Sequence, residues 1–499
     1  MSKKDKLHEL IRTMSMAEKR RFTIDAAQNT SNKERKYILL FDVLVEMKEY
    51  TSDALIEVLK SHGYATQHLA SDKNYLYNLI IKSLSSFYSG KNTSLNIKEK
   101  LHQVEILFER GLYEQCISIL KKLENQAKKY DLYALMIEIS SWKEKTYERL
   151  GEFGLALDEL QNTLFNMAWL DNRMAFKKLI YQIQDLEVKI PSVRNEAELK
   201  EYERFIAHPF LSDPEIPLSF HAKLDYWRIY RRYHHATGHI EQELEASQRL
   251  LDLMDAQGDY VEESPYEYAI ILSRMLKLRL KGDEDKFQEN FQRFQDFPKR
   301  AKKLKRSVEA RVRIDSSLIH LEKLIIDKAY QEAEIYFKEV TKTQQQNRKH
   351  MEKADIFMCQ LLGALVHLHV NKVRPALDMV NDLLNNHRSE VNRELQISLE
   401  ILNMMVHYHL GNYSLLKYRV KSLSGQLSRS KRLYEPEEEI FRLFARLSKE
   451  KTHAQADHRL IFEEAQKSMT YFSKNPLHNK AFQYVDFLAW MERQSLILT

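Results

Sequence analysis

Hydrophobic side chains recur along the chain at intervals of three and four residues, and short polar breaks interrupt this pattern. Residues Phe108–Cys116 read FERGLYEQC around a break at Gly111, and a similar passage surrounds Gly151, 40 residues later. Intervals of three and four place apolar side chains on one face of an α-helix. The pattern therefore predicts that one helix ends at each break and that a second amphipathic helix begins after it.

The same arrangement recurs as a repeat along most of the chain. Its breaks are centred on residues 111, 151, 238, 282, 328, 371 and 411, and they lie 40 to 46 residues apart except between 151 and 238. The 87 residues of that interval correspond to two periods, so we expect one degenerate repeat there. Self-similarity at a period of this size is typical of proteins built from stacked helical units.

Each position of the repeat has a packing role. The break is Gly in five copies and Lys or Asn in the other two, and a left-handed residue is needed there to end the first helix. Two residues later comes a side chain that we expect to plug the corner between the helices, namely Tyr113, Phe153, Tyr330, Val373 or Tyr413. Five residues later comes a slim side chain that allows the helices to approach closely, namely Cys116, Ala156, Ala333 or Ala376, with Leu416 as a wider exception.

The order helix, Gly, one residue, aromatic, two residues, Ala, helix resembles the tetratricopeptide repeat, a helix-turn-helix unit of 34 residues. The resemblance covers roughly residues 95–430, although the repeats are longer and the small residue expected seven positions before the break is present only as Ala364. It implies an all-α, right-handed α-solenoid of antiparallel helix pairs. The longer helices resemble those of extended tetratricopeptide-like arrays in bacterial regulators that bind signalling peptides.

Composition supports an all-α fold with three parts. Eleven glycines and nine prolines among 499 residues are about 4% of the chain, against about 12% in average usage, which excludes folds that turn frequently at Gly and Pro. Prolines cluster between residues 191 and 218 and predict the main irregular connection there. We expect a helical N-terminal cap or small helical domain at 1–94, a repeat array at 95–430 and a C-terminal helical cap at 431–499.

Residues 1–94 contain three predicted helices. Ser15 and Glu18 have the spacing of a capping box before the first helix, Gly63 ends the second, and Asp72–Tyr88 form the third. A short helix, a glycine turn and a basic helix could form a DNA-binding helix-turn-helix, and a cap over the open end of a solenoid gives the same pattern. The residues that would enter a DNA groove are Lys73, Asn74, Tyr77 and Asn78.

Positive charge is concentrated in two segments. The formal net charge is +6, and residues 1–100 hold 17 Lys and Arg against 12 Asp and Glu. A second run from 299 to 313 has eight basic residues and one acidic residue. Such runs are either solvated helix faces or sites for a polyanion. The candidate polyanion-binding residues are Lys19, Arg20, Arg21, Lys302, Lys303, Lys305 and Arg306.

Sequence motifs of common enzymes are absent. The chain contains no Gly-rich nucleotide loop, no Gly-x-Ser-x-Gly and no His-Glu-x-x-His. Cys116 and Cys359 lie too far apart for a clustered metal site. The N-terminus is charged rather than apolar, and no apolar stretch reaches the roughly 20 residues that span a bilayer. We therefore expect a cytoplasmic protein without enzymatic activity, cofactor, metal or membrane segment.

The sequence predicts a non-enzymatic helical-repeat protein that binds a peptide or protein partner and acts as a scaffold or regulator. The alternative is a nucleic-acid-associated regulator that uses the basic N-terminal segment. The oligomeric state stays open. Stacked helix pairs form a groove lined mainly by first helices. The candidate partner-binding residues, taken from the helical phase of these first helices, are Trp142, Lys145, Tyr226, Tyr230, Arg274, His320, Gln360 and Asn403.

Overall fold

The computed structural model describes residues 5–28, 32–89, 92–300, 304, 306–387, 393–430, 433–449 and 455–497. In this part of the chain there are 24 α-helices and no β-strand. Helices that are neighbours in sequence pack against each other, as Tyr113–Lys129 does with Tyr133–Leu150. The prediction of an all-α protein is confirmed, and the neighbour packing is compatible with a helical repeat.

The chain divides into two compact units, Met1–Asn172 and Arg173–Thr499. The first unit begins with five helices that share one apolar core, and the next three helices form a second core with Trp169 and Leu170 of a long ninth helix. The helices are α1 Lys6–Thr13, α2 Met16–Gln28, α3 Asn32–Glu46, α4 Ser52–Ser61, α5 Leu69–Ser89, α6 Thr93–Glu109, α7 Tyr113–Lys129, α8 Tyr133–Leu150 and α9 Phe153–Lys189, which continues into the second unit.

The second unit contains the other helices. After α19 the chain forms a π-helical turn, Leu383–His387, and before α24 a short 3₁₀ helix, Asn479–Phe482. The helices are α10 Glu196–Ile206, α11 Phe220–Thr237, α12 Ile240–Ala256, α13 Gly258–Glu263, α14 Pro265–Leu278, α15 Glu284–Arg300, α16 Arg306–Ile326, α17 Tyr330–Asn347, α18 Lys353–His369, α19 Val373–Asp382, α20 Arg393–His409, α21 Tyr413–Arg429, α22 Glu435–Leu447, α23 Gln455–Lys474 and α24 Phe487–Ile497.

The three helices predicted in residues 1–94 are present as α2, α4 and α5. The capping box forms at α2, where the backbone N–H of Glu18 donates to Ser15 Oγ at 3.4 Å and the Glu18 carboxylate accepts from the backbone N–H of Ser15. At α4, Thr51 Oγ1 accepts from the backbone N–H of Ala54 at 3.3 Å. Gly63 follows α4 with a φ of +72°, a left-handed conformation that glycine adopts without a Cβ clash.

Six of the seven predicted breaks have left-handed backbone geometry. Two of them are not glycine, and Lys328 and Asn371 both have a φ of +61°. The exception is Gly282, which has no left-handed φ and lies in a loose turn between Leu278 and Glu284. An additional left-handed residue, Asp131, separates α7 from α8. Left-handed residues therefore lie before, between and after the two helices, at Gly111, Asp131 and Gly151.

The slim positions of the repeat are buried, as predicted. Cys116, Ala333 and Ala376 are fully buried, and Leu416 is accommodated in the same position without exposure. The prediction that Phe153 plugs a corner is wrong, because its side chain is 69% exposed. Phe153 begins α9, and no later helix of the first unit follows to cover it.

The interval between residues 151 and 238, where we predicted a degenerate repeat, lacks a regular helix pair. It contains one continuous helix of 37 residues, α9, followed by the short helix α10 and then by α11. From residue 155 to residue 190 the sequence has neither Gly nor Pro, so nothing ends the helix before Pro191. The proline-containing connection is irregular as predicted, with only a 3₁₀ turn at Pro209–Leu211 between α10 and α11.

The beginning and the end of the second unit are in direct contact. Arg194, before α10, donates two hydrogen bonds to the Glu437 carboxylate of α22 at 2.7 and 2.8 Å, and both side chains are almost completely buried. The Arg194 guanidinium also lies 4.5 Å from the centre of the Tyr434 ring. Near α24, Asn479 donates to the carbonyl of Gly238 at 3.3 Å. The C-terminal helices therefore pack against α10 and α11 as well as against their sequence neighbours.

Candidate binding surfaces

A group of charged side chains lies where α11, α12 and α14 meet the 3₁₀ helix of the C-terminal segment. We call Arg231, His235, Glu243, Arg274 and Lys480 the basic cluster. Arg274 Nε donates to Glu243 at 2.8 Å and its Nη2 contacts His235 Nδ1. The same ring nitrogen lies 3.3 Å from the Glu243 carboxylate and 3.5 Å from Lys480 Nζ. The side chains of His235 and Arg274 keep 31% and 23% exposure, so the cluster reaches solvent.

Cations outnumber anions in the basic cluster. Burial and the neighbouring Arg274 lower the pKa of Lys480 to about 8, and burial together with Arg232 lowers the pKa of Arg231 to about 10. Burial by itself raises the pKa of Glu243. The hydrogen bond with His235 and the charge of Arg274 outweigh this effect, so the pKa of Glu243 lies well below its ordinary range. Among the described residues Arg231 Nε is buried and has no hydrogen-bond partner. Three cations therefore accompany one carboxylate within the basic cluster, and Glu394 is a further carboxylate whose charge acts on Lys480.

Two further histidines of the second unit contact α24. Arg493 donates to His369 Nδ1 at 3.0 Å, and Trp490 Nε1 donates to His409 Nε2 at 3.1 Å. The ring of Tyr330 stacks on His369 with 4.2 Å between the centroids. Burial, followed by the charge of Arg493, lowers the pKa of both histidines to about 4. Both rings are therefore neutral acceptors near pH 7, and they hold the C-terminal helix in place.

Histidine, cysteine and carboxylate side chains do not form a metal site in the described part of the chain. No group of three or more of them there is arranged to hold a metal ion. Both cysteines are buried and unpaired.

Several predicted partner-binding residues lie in the interior. The prediction of a surface position is wrong for Tyr226, which packs in a core with Phe176, and for Asn403, which is fully buried. In its satisfied amide orientation Asn403 donates to His407 at 3.2 Å and accepts from Arg419. Helical phase placed these residues on the inner side of their helices, but the neighbouring elements cover that side.

Three other candidates have structural partners. Tyr230 donates to the carbonyl of Leu211 at 2.6 Å, which holds the proline-containing connection against α11. His320 is half-buried between two aromatic rings, those of Phe291 and Tyr336. Gln360 donates to Asp382 at 2.9 Å. These contacts give each side chain a role in packing, and whether it also contacts a partner stays a prediction.

Trp142, Lys145 and Arg274 remain accessible. On α8, the Lys145 ammonium lies 5.0 Å from the centre of the Trp142 ring, whose other side packs on Phe108 at 5.6 Å between centroids. Lys145 is exposed and Trp142 is half-buried. Arg274 belongs to the basic cluster of the second unit. The structure therefore brings Trp142 and Lys145 together in one unit and places Arg274 in the other.

The first unit carries an exposed apolar face that the sequence analysis missed. The members of this apolar stripe are 49% to 69% exposed, and they are Phe153, Leu157, Leu160, Leu164 and Met167. Their alternating spacing of four and three residues is that of a seam between two packed helices. Between residues 150 and 172 there is no Lys, Arg or His, and acidic side chains flank the stripe at Asp158 and Asp171.

The opposite face of α9 anchors the helix to the rest of the first unit. Ala156 is buried beside Tyr147, and Glu159 pairs with Lys143 of α8. Lys143 also binds Glu124 of α7 at 3.0 Å, so one buried ammonium links three helices. The stripe is therefore presented on a helix whose inner side is fixed.

A cleft between α2, α3 and α5 brings the basic N-terminal residues together. This N-terminal cleft has a volume of about 810 Å³. Its basic wall consists of Lys19, Arg20 and Arg21, and Arg21 Nε pairs with Asp25 at 2.9 Å. The lining also includes the carboxylate of Asp42 and the apolar side chains of Met16, Ile24 and Val45. Met16 is 82% exposed. The cleft therefore combines an excess of positive charge with exposed apolar surface.

The other basic candidates do not form a surface that can be described. Lys302, Lys303 and Lys305 lie outside the described residues, and Arg306 is an exposed residue at the start of α16. In the predicted DNA-binding helix α5, Lys73 is paired with Asp5 and donates to Tyr50 Oη at 2.9 Å. Lys73 is therefore engaged within the first unit, whereas Asn74 and Asn78 are exposed.

No helix in the described ranges is both long and apolar enough to cross a bilayer. Comparison of the chain with protein-family models, with curated proteins and with solved structures gives no match. Membership of the tetratricopeptide family is therefore not shown.

Proposed function

We propose that this protein is a non-enzymatic helical-repeat protein that binds a protein or peptide partner and acts as a cytoplasmic scaffold or regulator. The observation that carries the proposal is the apolar stripe of α9. Five large apolar side chains lie next to each other and at least half of nearly every one is exposed to water. Contiguous exposed apolar patches of this kind mark interaction surfaces.

Burial of the stripe would contribute substantially to the free energy of binding. Full burial of one large apolar side chain contributes about 1.5–3 kcal/mol. Five partly exposed side chains together can offset a large share of the entropy cost of association, which is estimated at 4–15 kcal/mol. The four-three spacing fits a helical segment of the partner, because such a segment inserts its own side chains between those of the stripe.

We also propose that the helix pairs are long tetratricopeptide-like units wound into a right-handed solenoid. Left-handed breaks and buried slim residues at the predicted positions support this interpretation. In the same interpretation, residues 1–94 form a helical cap or small domain, 95–430 the array and 431–499 the C-terminal cap. A protein of this kind needs no cofactor or catalytic group to act as a scaffold.

The test is recovery of partners from the native cell with purified, tagged protein. Leu160→Glu places a charge in the middle of the stripe, and we expect it to lose discrete partners that the parent chain recovers in high salt. Ile335→Glu is the matched control, because Ile335 is an apolar residue of α17 that is 70% exposed outside the stripe. Recovery of the same partners by the parent and by Leu160→Glu would contradict the proposal.

A second candidate function is association with nucleic acid through the N-terminal cleft. It is favoured by the convergence of Lys19, Arg20 and Arg21 on one cleft wall. Binding of this kind weakens steeply with salt, because each phosphate contact releases counterions. Duplex DNA or RNA binding that Lys19→Glu combined with Arg20→Glu abolishes would support this candidate.

A further inference from the structure

Two exposed surfaces of the first unit have opposite chemistry. The N-terminal cleft presents Lys19 and Arg20 around exposed apolar side chains such as Met16. The apolar stripe presents Leu160 and its neighbours beside Asp158, in a segment that contains no basic residue. One surface therefore combines apolar area with positive charge, and the other combines apolar area with negative charge.

These two surfaces are exposed in the same chain at the same time. Met16 of the cleft and Leu164 of the stripe are 82% and 61% exposed. Neither surface therefore covers the other within one copy of the first unit. Contact between them requires a second molecule.

We propose that the apolar stripe of one copy docks into the N-terminal cleft of a second copy, which gives a head-to-tail assembly. The proposal rests on the proposed function, in which the stripe is a protein-binding surface, and it names a second copy of this chain as the occupant. The stripe is a single helical ridge, and the cleft of about 810 Å³ lies between helices that can receive its side chains.

Charge complementarity favours the contact between stripe and cleft over a contact between two stripes and over a nucleic acid bound in the cleft. A symmetric contact between two stripes would place acidic flanks against acidic flanks, which costs free energy at an interface. A nucleic acid would match Lys19 and Arg20, but it would leave Met16 and Ile24 without an apolar partner. The stripe supplies apolar side chains together with negative charge opposite Lys19 and Arg20, and the one acidic residue of the cleft lining, Asp42, leaves the cleft with an excess of basic residues.

A head-to-tail contact uses two different surfaces of each copy. Each bound copy therefore still presents a free stripe at one end and a free cleft at the other. The assembly grows with concentration, either into a closed ring or into a longer oligomer. Exposed charges at its interface are screened over about 8 Å at physiological salt, so salt weakens the electrostatic part of the contact.

The test is sedimentation velocity of the full-length chain over a range of concentrations. We expect species larger than the monomer that increase with concentration. Lys19→Glu with Arg20→Glu in the cleft, or Asp158→Lys beside the stripe, should weaken association on the order of tenfold or more. Leu160→Glu should abolish it, and Ile335→Glu should leave it unchanged. Thermal melting of every variant checks that the chain still folds.

Mixing the two charge variants distinguishes a direct contact from an indirect effect. The cleft variant has an acidic cleft and an acidic stripe, and the Asp158→Lys variant has a basic cleft and a less acidic stripe. Each variant alone has lost the charge complementarity of its contact, whereas the mixture brings the unchanged stripe of the cleft variant to the unchanged cleft of the Asp158→Lys variant. We expect assembly to return in the mixture. Failure of the mixture to assemble, with both variants folded, would overturn the proposed contact.

Several other results would overturn the proposed head-to-tail contact. A parent chain that sediments as a monomer at every concentration overturns the proposal. If Leu160→Glu still loses cellular partners in that case, the proposed function stands and only self-assembly fails. DNA or RNA binding at the cleft by a strictly monomeric chain overturns the proposal in favour of the second candidate function. Unchanged assembly in all cleft and stripe variants overturns it as well.

Discussion

The two units differ in whether the apolar side chains of their last helix are exposed or buried. In the first unit, α9 exposes its stripe, whereas in the second unit the apolar side chains Phe487, Trp490 and Met491 of α24 are buried. An array of stacked helices leaves one face of its last helix open, and that face has to be covered or made polar. The second unit covers its helices with its own C-terminal segment. The first unit has no helix left to cover α9, which makes the stripe available to another molecule.

The largest effect is expected where the C-terminal segment closes the second unit. Trp490→Ala removes a ring that contacts Tyr408, Phe462 and Phe487 and a donor to His409. We expect a loss of about 3–5 kcal/mol in the free energy of unfolding, measured by urea denaturation. Leu496→Ala is the control on the same helix, because Leu496 is 75% exposed, and it should change stability by less than about 0.5 kcal/mol. Equal effects of the two substitutions would show that α24 is not a packed closing element.

A smaller effect is expected from pH. Burial lowers the pKa of His235, His369 and His409 to about 4, from an ordinary value of about 6.5. Between these values the unfolded chain binds protons that the folded chain excludes, so stability falls as the pH is lowered from about 6.5 towards 4. We expect a loss of about 1–3 kcal/mol between about pH 7 and about pH 5.

The control for the pH effect removes one titrating ring at a time. His369→Gln and His409→Gln should each flatten the dependence of the unfolding free energy on pH, even if they lower stability overall. The measurement is a series of urea denaturation curves at each pH for the parent and both variants. Identical slopes in all three proteins would exclude these histidines as the groups responsible.

The smallest effect is expected at the stripe itself. Leu160→Glu exchanges an exposed apolar side chain for a charged one, so the melting of the monomer should change by less than about 0.5 kcal/mol. Ile139→Glu is the contrasting variant, because Ile139 is a fully buried residue of α8 and a charge there has no partner. Differential scanning calorimetry at low protein concentration separates the two. A severe loss in Leu160→Glu would mean that the stripe is covered within the chain.

Local signals in the sequence predicted the corners of the repeat well. The spacing of apolar residues around Gly111, Gly151, Gly238 and Gly411 placed four left-handed corners, and the same spacing identified Lys328 and Asn371 although neither is glycine. These signals work because a helix end has a local cause, namely the need for a left-handed residue followed by a new apolar face. Gly282 has the predicted spacing from its neighbouring breaks but does not have a left-handed φ, because the turn between α14 and α15 is long enough to reverse the chain without one.

Contacts between residues that are far apart in the chain could not be predicted from the sequence. Tyr226 and Asn403 share the helical phase of groove residues, yet elements distant in sequence cover them. The basic cluster depends on Lys480, which lies more than 200 residues from Arg274 and reaches it only because the C-terminal segment turns back. The apolar stripe differs from these contacts, because its pattern is local in the sequence. Its four-three spacing was present in the sequence, but the absence of a covering helix is a property of the fold.

The pair formed by Arg194 and Glu437 gives the second unit an unusual folding order. Stacked helices otherwise make contacts between near neighbours, so they can form progressively from any point along the chain. This pair joins residues 243 positions apart, and the intervening chain has to be arranged before the two side chains meet. On the ribosome, α10 and α11 therefore emerge long before the helices that cover them. The second unit reaches its complete form only when synthesis of the C-terminal segment is finished.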